Sequence, residues 1–194
     1  MLTVVQGPQI EPMTVTELGQ HLRVDPADVM LEPYLVAVRA HVERIGGFAC
    51  CTQTLEWTMD LFPYAGPENP YGAIVLPRPP LQSVVSIIYI DSSGISQTLS
   101  SSLYTVDTRS YPGRVTMVYG QSWPSTRWQP HAVVVKYLAG YAAPELVPED
   151  VKQTLRVAAG LFYEQREAMV DGNAPAPTGL FTRLLAQHRV WTTA

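Results

Sequence analysis

The sequence lacks the features that mark a membrane protein, a disulfide-rich secreted domain or a nucleic-acid-binding domain. It has two cysteines in 194 residues, and no apolar run approaches the roughly 20 residues of a membrane span. Its first residues lack the basic start and apolar core of a signal peptide. With 13 basic and 17 acidic residues, it also lacks the excess of Lys and Arg that binds phosphate. We therefore expect a soluble protein, made in a cytoplasm, that does not bind DNA sequence-specifically.

The two cysteines, Cys50 and Cys51, are adjacent. Neighbouring residues of a strand point to opposite faces, which disfavours a disulfide between them. We expect two small buried thiols in a reducing compartment.

Residues that carry chemistry are also sparse. The four histidines lie far apart and none has metal-ligand spacing: they are His21, His41, His131 and His188. The chain has no nucleophile elbow, no phosphate-binding glycine loop and no acidic cluster of the two-metal kind. Glu149 and Asp150 are predicted to begin a helix, and Asp91 and Asp107 to lie in turns. The sequence predicts no catalytic residue, metal ligand or cofactor, and leaves open only an enzyme of unfamiliar site geometry.

Apolar periodicity predicts helices at both ends of the chain. Thr14 or Thr16 can cap a short helix that ends at Leu22, with Glu17 in its first turn. The segment 25–28 is a second start signal, and Gly46 and Gly47 end that helix. Its apolar face consists of Leu31, Leu35, Val38, Val42 and Ile45. Helix returns after Pro148, with an apolar stripe of Val151, Leu155, Ala158, Phe162 and Met169, and again over 180–190.

In the middle of the chain the period changes to two. Leu55, Trp57, Met59 and Leu61 alternate with polar residues, which predicts a strand with one buried face. The turn 91–94 joins strands 84–90 and 95–99 in a hairpin. Further strands are predicted at 103–106, 114–119 and 132–138. Six or seven short strands imply an antiparallel sheet or a small β-barrel.

Three prolines interrupt this pattern. An apolar strand ends at Leu76, and Pro77, Pro79 and Pro80 precede the next strand. Proline fixes φ and removes a backbone donor, so the chain must enter the next strand at a set angle. These prolines are predicted to form a structural corner without chemical activity.

The predicted fold class is α+β, with an α-helical bundle formed by the N- and C-terminal segments and an antiparallel β-sheet or small β-barrel inserted between them. The expected domains are a discontinuous helical domain of residues 14–47 and 148–190 and a β domain of residues 50–140. The segment 171–179 has the composition of a linker to the last helix and tail.

Charge is distributed unevenly. Residues 1–70 hold nine acidic and three basic side chains, whereas residues 71–140 hold two acidic and five basic ones. This asymmetry fits either ordinary solvated surfaces or head-to-tail association between an acidic and a basic surface.

Aromatic residues of the β domain form the best candidate ligand surface: Tyr111, Tyr119, Trp123, Trp128 and Tyr137. Tyr119, Trp123 and Trp128 could stack on sugars, which would make this a carbohydrate-binding module. They could also pack a loop on the sheet or anchor a contact between subunits.

Short motifs occur in a fixed order over residues 15–190: Leu76-Pro77-Arg78-Pro79-Pro80-Leu81, Tyr89-Ile90-Asp91, Ser122-Trp123-Pro124, Ala139-Gly140-Tyr141, 147–153 and 163–167. In this order and spacing they resemble the head-tail connector proteins of long-tailed bacteriophages, also called adaptor or head-completion proteins. The resemblance implies a structural protein of the virion neck without enzymatic activity. Family members form a ring, commonly of twelve copies, below the portal and extend the DNA channel towards the tail.

The resemblance also implies partners. They are further copies of the chain, the portal protein, a stopper or tail-completion protein, and double-stranded DNA that passes through the lumen without sequence-specific binding. Assembly in the host bacterial cytoplasm, with no membrane partner, is implied too.

The C-terminal segment is the candidate portal-docking element. Residues 172–194 contain no acidic side chain, so they can seek an acidic partner surface. Apolar and basic residues at helical spacing supply the candidate contacts: Leu180, Phe181, Arg183, Leu184, Leu185, Arg189 and Trp191. A last helix packed on its own domain is the alternative.

Overall fold

The structure is a computed structural model that describes residues 1–164. Its described part contains three α-helices: α1 (Val15–Leu22), α2 (Leu31–Gly46) and α3 (Glu149–Glu164). It also contains eight strands: β1 (Leu2–Gln6), β2 (Gln53–Met59), β3 (Ile74–Val75), β4 (Leu81–Ile90), β5 (Ser96–Thr98), β6 (Tyr104–Asp107), β7 (Arg114–Met117) and β8 (Val133–Ala139). All strand pairs are antiparallel. The protein is therefore α+β, as predicted.

The chain divides into two compact units. Residues Met1–Gln9 and Thr52–Gly140 form the β unit. Residues Ile10–Cys51 and, within the described part of the chain, residues 141–164 form the helical unit.

Local capping explains the first helix. The Thr14 side chain accepts the backbone N–H of Glu17, and the Glu17 carboxylate accepts the backbone N–H of Thr14 at 2.7 Å. This reciprocal pair satisfies two N–H groups at the start of α1. The predicted cap at Thr14 is confirmed, and Thr16 lies inside the helix.

The start of α2 differs from the prediction. The carboxylates of Asp25 and Asp28 accept the backbone N–H groups of Ala27 and Met30, each at 2.9 Å, and so form turns ahead of the helix. The helix begins at Leu31 and ends at Gly46, and Gly47 caps it with a left-handed φ of 71°.

The core of the helical unit contains side chains from all three helices. Its buried side chains include Leu18 from α1, Leu35, Val38 and Val42 from α2, and Val151 and Leu155 from α3. Most of the predicted apolar stripes of α2 and α3 are thus buried. Ile45 and Phe162 are only half-buried, and Met169 lies outside the described residues. The predicted bundle also includes residues 165–190, which lie outside the described part of the chain, so the complete bundle stays a prediction.

The described strands form two sheets. One has the order β1-β2-β8-β4-β5 and the other the order β3-β7-β6. The predicted hairpin is confirmed, since β4 pairs with β5 across the turn that Asp91 begins. Strand β1 is absent from the sequence-based prediction, although it adds an edge to the larger sheet by pairing with β2.

The predicted buried face of β2 is only partly buried. Leu55 is fully buried, whereas Trp57 and Met59 are half-buried. Leu61 is exposed because the strand ends at Met59 and the chain continues as a loop.

Candidate functional site

The proline corner lies against a buried tyrosine. The Tyr137 hydroxyl donates to the Pro77 carbonyl at 2.8 Å, and the Gly140 N–H donates to the Pro80 carbonyl at 2.8 Å. Arg78 between the prolines has a left-handed φ of 58°, and the Pro79–Pro80 peptide bond is cis. Pro77 and Pro79 are buried. These contacts join the corner to β8 and support the structural role predicted for Pro77, Pro79 and Pro80.

A glycine completes the corner. The Leu76 N–H donates to the Gly113 carbonyl at 2.9 Å. A Cβ atom at position 113 would lie only 2.4 Å from the Cβ of Leu81, so no larger residue fits there without movement. Nothing in the local sequence around Gly113 indicates this close approach.

An open cleft of about 570 Å³ lies on the β unit, and its lining includes Phe62, Pro63, Tyr64, Tyr71, Trp123 and Pro124. The Trp123 ring stacks on Phe62 at 4.7 Å and 7°, and its indole N–H donates to the Gly72 carbonyl at 2.7 Å. Phe62 in turn meets the Tyr89 ring edge-on at 5.6 Å. One face of the Trp123 ring is therefore covered by Phe62, and its indole N–H is hydrogen-bonded within the protein.

The predicted aromatic group does not form one surface. Tyr119 and Trp128 are almost wholly exposed and do not line the cleft around Trp123. Tyr137 is fully buried at the proline corner, and burial raises the pKa of its hydroxyl. Tyr119 and Trp128 therefore do not join Trp123 in a stacking platform at this cleft.

A buried ionic network lies in the helical unit and was not predicted. Arg39 Nε contacts Glu11 Oε2 at 2.8 Å, and Arg39 Nη1 contacts Glu43 Oε2 at 2.9 Å. The other oxygen of Glu43 accepts the Cys50 N–H at 2.7 Å. The only sequence signal was the i,i+4 spacing of Arg39 and Glu43 on α2. The network ties the segment before α1 and the segment after α2 to that helix.

Both thiols are buried and free, as the sequence predicted. Burial raises the pKa of Cys51 to about 12, and burial together with the nearby Glu43 carboxylate raises that of Cys50. A thiolate is the nucleophilic form of cysteine. Neither thiol is therefore activated as a nucleophile in the folded protein.

Among the described residues, the excess of acidic over basic side chains lies in the helical unit. That unit has ten acidic and five basic described residues, whereas the β unit has five of each. The uneven charge seen along the chain thus becomes a difference between two units.

Within residues 1–164, no group of three or more His, Cys, Asp or Glu side chains could hold a metal ion. His188 lies outside this range.

No described helix is long and apolar enough to cross a membrane. His41 packs edge-on against Phe162 at 4.9 Å, and burial followed by the charge of Arg44 lowers its pKa.

The predicted portal-docking residues and the linker before them belong to the C-terminal end of the sequence. Leu180, Phe181, Arg183, Leu184, Leu185, Arg189 and Trp191, and the linker 171–179, lie outside the described residues.

The fold is thus an α+β arrangement in which helical segments flank an antiparallel β unit along the chain. No protein-family model and no curated protein matches the sequence. Solved structures do match the fold, and chains from gene transfer agent (GTA) particles are among them. A chain of the virion of a native GTA particle aligns with a TM-score of 0.74 and 21% identity, covering 100% of this chain and 97% of that one.

Two neck structures give similar values. One is the neck of the native GTA particle computed with C12 symmetry, with a TM-score of 0.74. The other is the neck of the empty GTA particle computed with C6 symmetry, with a TM-score of 0.75. Both are 21% identical and cover 100% of this chain and 97% of the matched chain. At this identity the match establishes the shared fold.

Proposed function

We propose that this protein is a structural component of the neck of a bacteriophage or phage-like particle. In this role it is a head-tail connector, or adaptor, that forms a ring below the portal. The ring extends the DNA channel and offers a docking platform for stopper or tail proteins. The proposal rests on the alignment of this chain with chains from GTA necks. The alignment covers 100% of this chain and 97% of each neck chain.

The symmetry of those necks supports a ring. They were computed with C12 and C6 symmetry, and twelve copies of one chain are compatible with both. In a ring, each copy repeats the same contact, so individually weak contacts add up.

The described residues support a role without catalysis. The buried thiols have raised pKa values, and the ionic network around Arg39 is closed by its own partners. The carbohydrate-binding alternative gains no support, because the exposed aromatics Tyr119 and Trp128 are separate from the cleft at Trp123.

Co-assembly with the portal protein of the same particle tests the proposal. We expect the isolated chain to be mainly monomeric at micromolar concentration and to form a closed ring, of twelve copies, when portal is added. Native mass spectrometry resolves both states. A stable dimer that portal leaves unchanged would contradict the proposal, and saturable binding on a glycan array would favour the carbohydrate-binding alternative.

A further inference from the structure

Each edge of the five-stranded sheet has a stretch without a described partner strand. At one edge, β1 pairs only with β2 among the described strands. At the other edge, β5 covers only Ile88–Ile90 of β4. The stretch 81–86 of β4 therefore has β8 on one side and no described strand on the other.

Backbone groups of β1 point outward. The backbone nitrogen of Met1 donates to the Thr58 carbonyl at 2.6 Å, and the Thr58 N–H donates to the Met1 carbonyl at 2.8 Å. Hydrogen-bonded pairs alternate along an antiparallel ladder. The N–H and C=O groups of Leu2 and Val4 consequently face away from β2.

Strand β1 has one register irregularity, between Val4 and Gln6, and the stretch 81–86 of β4 has two, but neither edge carries the charges or proline that guard many exposed strands. Monomeric proteins usually guard exposed edges with Lys, other charges or proline. Strand β1, with the sequence LTVVQ, and the stretch 81–86, with the sequence LQSVVS, contain none of these. Both edges instead expose β-branched side chains: Val4 and Val5 are each 46% exposed and Val85 is 54% exposed.

We infer that β1 of one copy pairs with the stretch 81–86 of β4 in the next copy, which joins the β units of the ring into one sheet. The inference rests on the proposed ring and names the contact that closes it. Strand β1 is antiparallel to β4 within one sheet, since three antiparallel steps separate them. When one copy adds to the sheet edge of the next and corresponding strands run in the same direction, β1 of one copy therefore lies antiparallel to β4 of its neighbour. The five residues of β1 are one fewer than the six of the stretch 81–86, of which Leu81 is buried.

Cross-linking tests this geometry. The variant V4C/V85C is treated with a short bismaleimide in the presence of portal, and we expect a ladder of covalent multimers that extends to the full ring. The wild type is a clean background because its two cysteines are buried. The matched control is V4C/V75C, since Val75 is 44% exposed but lies on β3 in the other sheet; it should give no ladder. A dimer formed by V4C alone would reveal β1 pairing with β1 and would overturn the inference.

Charge substitution gives an independent readout. Val4→Glu and Val85→Lys should each lower ring formation by about tenfold or more, because each leaves an unpaired charge at the edge. The double variant V4E/V85K should recover most of the ring formation, since every contact between copies then has a Glu facing a Lys. Unchanged melting temperatures show that folding is intact.

If the wild type forms no ring with portal, the proposed neck function fails. If the ring forms but V4C/V85C gives no ladder and the single charges have no effect, only this inference fails.

Discussion

The Tyr137 hydroxyl donates a hydrogen bond to the Pro77 carbonyl, 60 residues earlier in the chain, at 2.8 Å inside the β unit. Both residues are buried. Proline lacks a backbone N–H, so a corner of prolines offers mainly carbonyl groups to its surroundings. The tyrosine satisfies one of these carbonyls where water does not reach.

Tyr137→Phe should destabilise the fold by about 1–3 kcal/mol, because the buried Pro77 carbonyl loses its donor. Chemical denaturation measures the change. The control is Tyr119→Phe at a fully exposed tyrosine, which should change stability by less than about 0.5 kcal/mol. Equal losses in the two variants would show that the corner bond contributes nothing specific.

Glu43→Ala should be more costly, by about 3–5 kcal/mol, because it removes one partner of a buried ion pair. It also leaves the Cys50 N–H without its acceptor. Glu43→Gln keeps an acceptor oxygen and should cost less. Glu32→Gln, at an exposed position on the same helix, is the control and should cost under about 1 kcal/mol. Urea unfolding of all three variants decides this, and a Glu43→Ala effect as small as the control would refute the role of the network.

The carboxyl of Asp107 provides a test by pH. The Ser110 hydroxyl at 2.6 Å and then Arg114 Nε at 2.9 Å lower its pKa from 3.8 to about 2. A pKa lowered on folding contributes stability above the unfolded value, and this stability disappears as pH falls towards the folded value.

Asp107→Asn should therefore melt below the wild type at pH 7, and the difference should shrink between about pH 4 and pH 2. Thermal melts across this range measure it. The control Glu68→Gln changes an exposed loop carboxylate and should show no such trend. A difference between Asp107→Asn and the wild type that is constant with pH would contradict the assignment.

The two cysteines should resist thiol reagents in the folded protein. With the pKa of Cys51 at about 12, the thiolate fraction at pH 8 is on the order of a thousandfold below that of an ordinary cysteine. Reaction with a chromogenic disulfide reagent should therefore be about that much slower in buffer than in denaturant. Rapid labelling of the folded chain would show that the thiols are accessible.

Truncation after Gly179 tests the proposed docking segment, which lies outside the described residues. We expect a folded protein that no longer captures portal in a pull-down. In the full-length chain, Arg183→Glu with Arg189→Glu should weaken capture by about tenfold or more, whereas Arg→Lys at both positions should retain most of it. Full capture by the truncated protein would end the hypothesis. A lower melting temperature with unchanged capture by the charge-reversed variant would favour a helix packed on its own domain.

Signals between residues close in the chain determined much of this fold. The capping box of Thr14 and Glu17, the apolar stripes of α2 and α3, the turn at Asp91 and the prolines after Leu76 all act over a few residues, so their structures could be predicted directly. The α+β class followed from the change of period along the chain.

Other features depend on residues that only folding brings together. The pairing of β1 with β2 joins residues as far apart in the chain as Leu2 and Trp57, the pair of Glu11 and Arg39 spans 28 residues, and Gly113 must be small because of Leu81. That Trp123 lines the cleft of the β unit whereas Tyr119 and Trp128 do not is likewise decided by packing, since nearness in sequence does not fix which side chains share a surface. Local sequence carries the preferences of short segments, whereas contacts between distant segments are selected by the burial and hydrogen bonding of the whole chain.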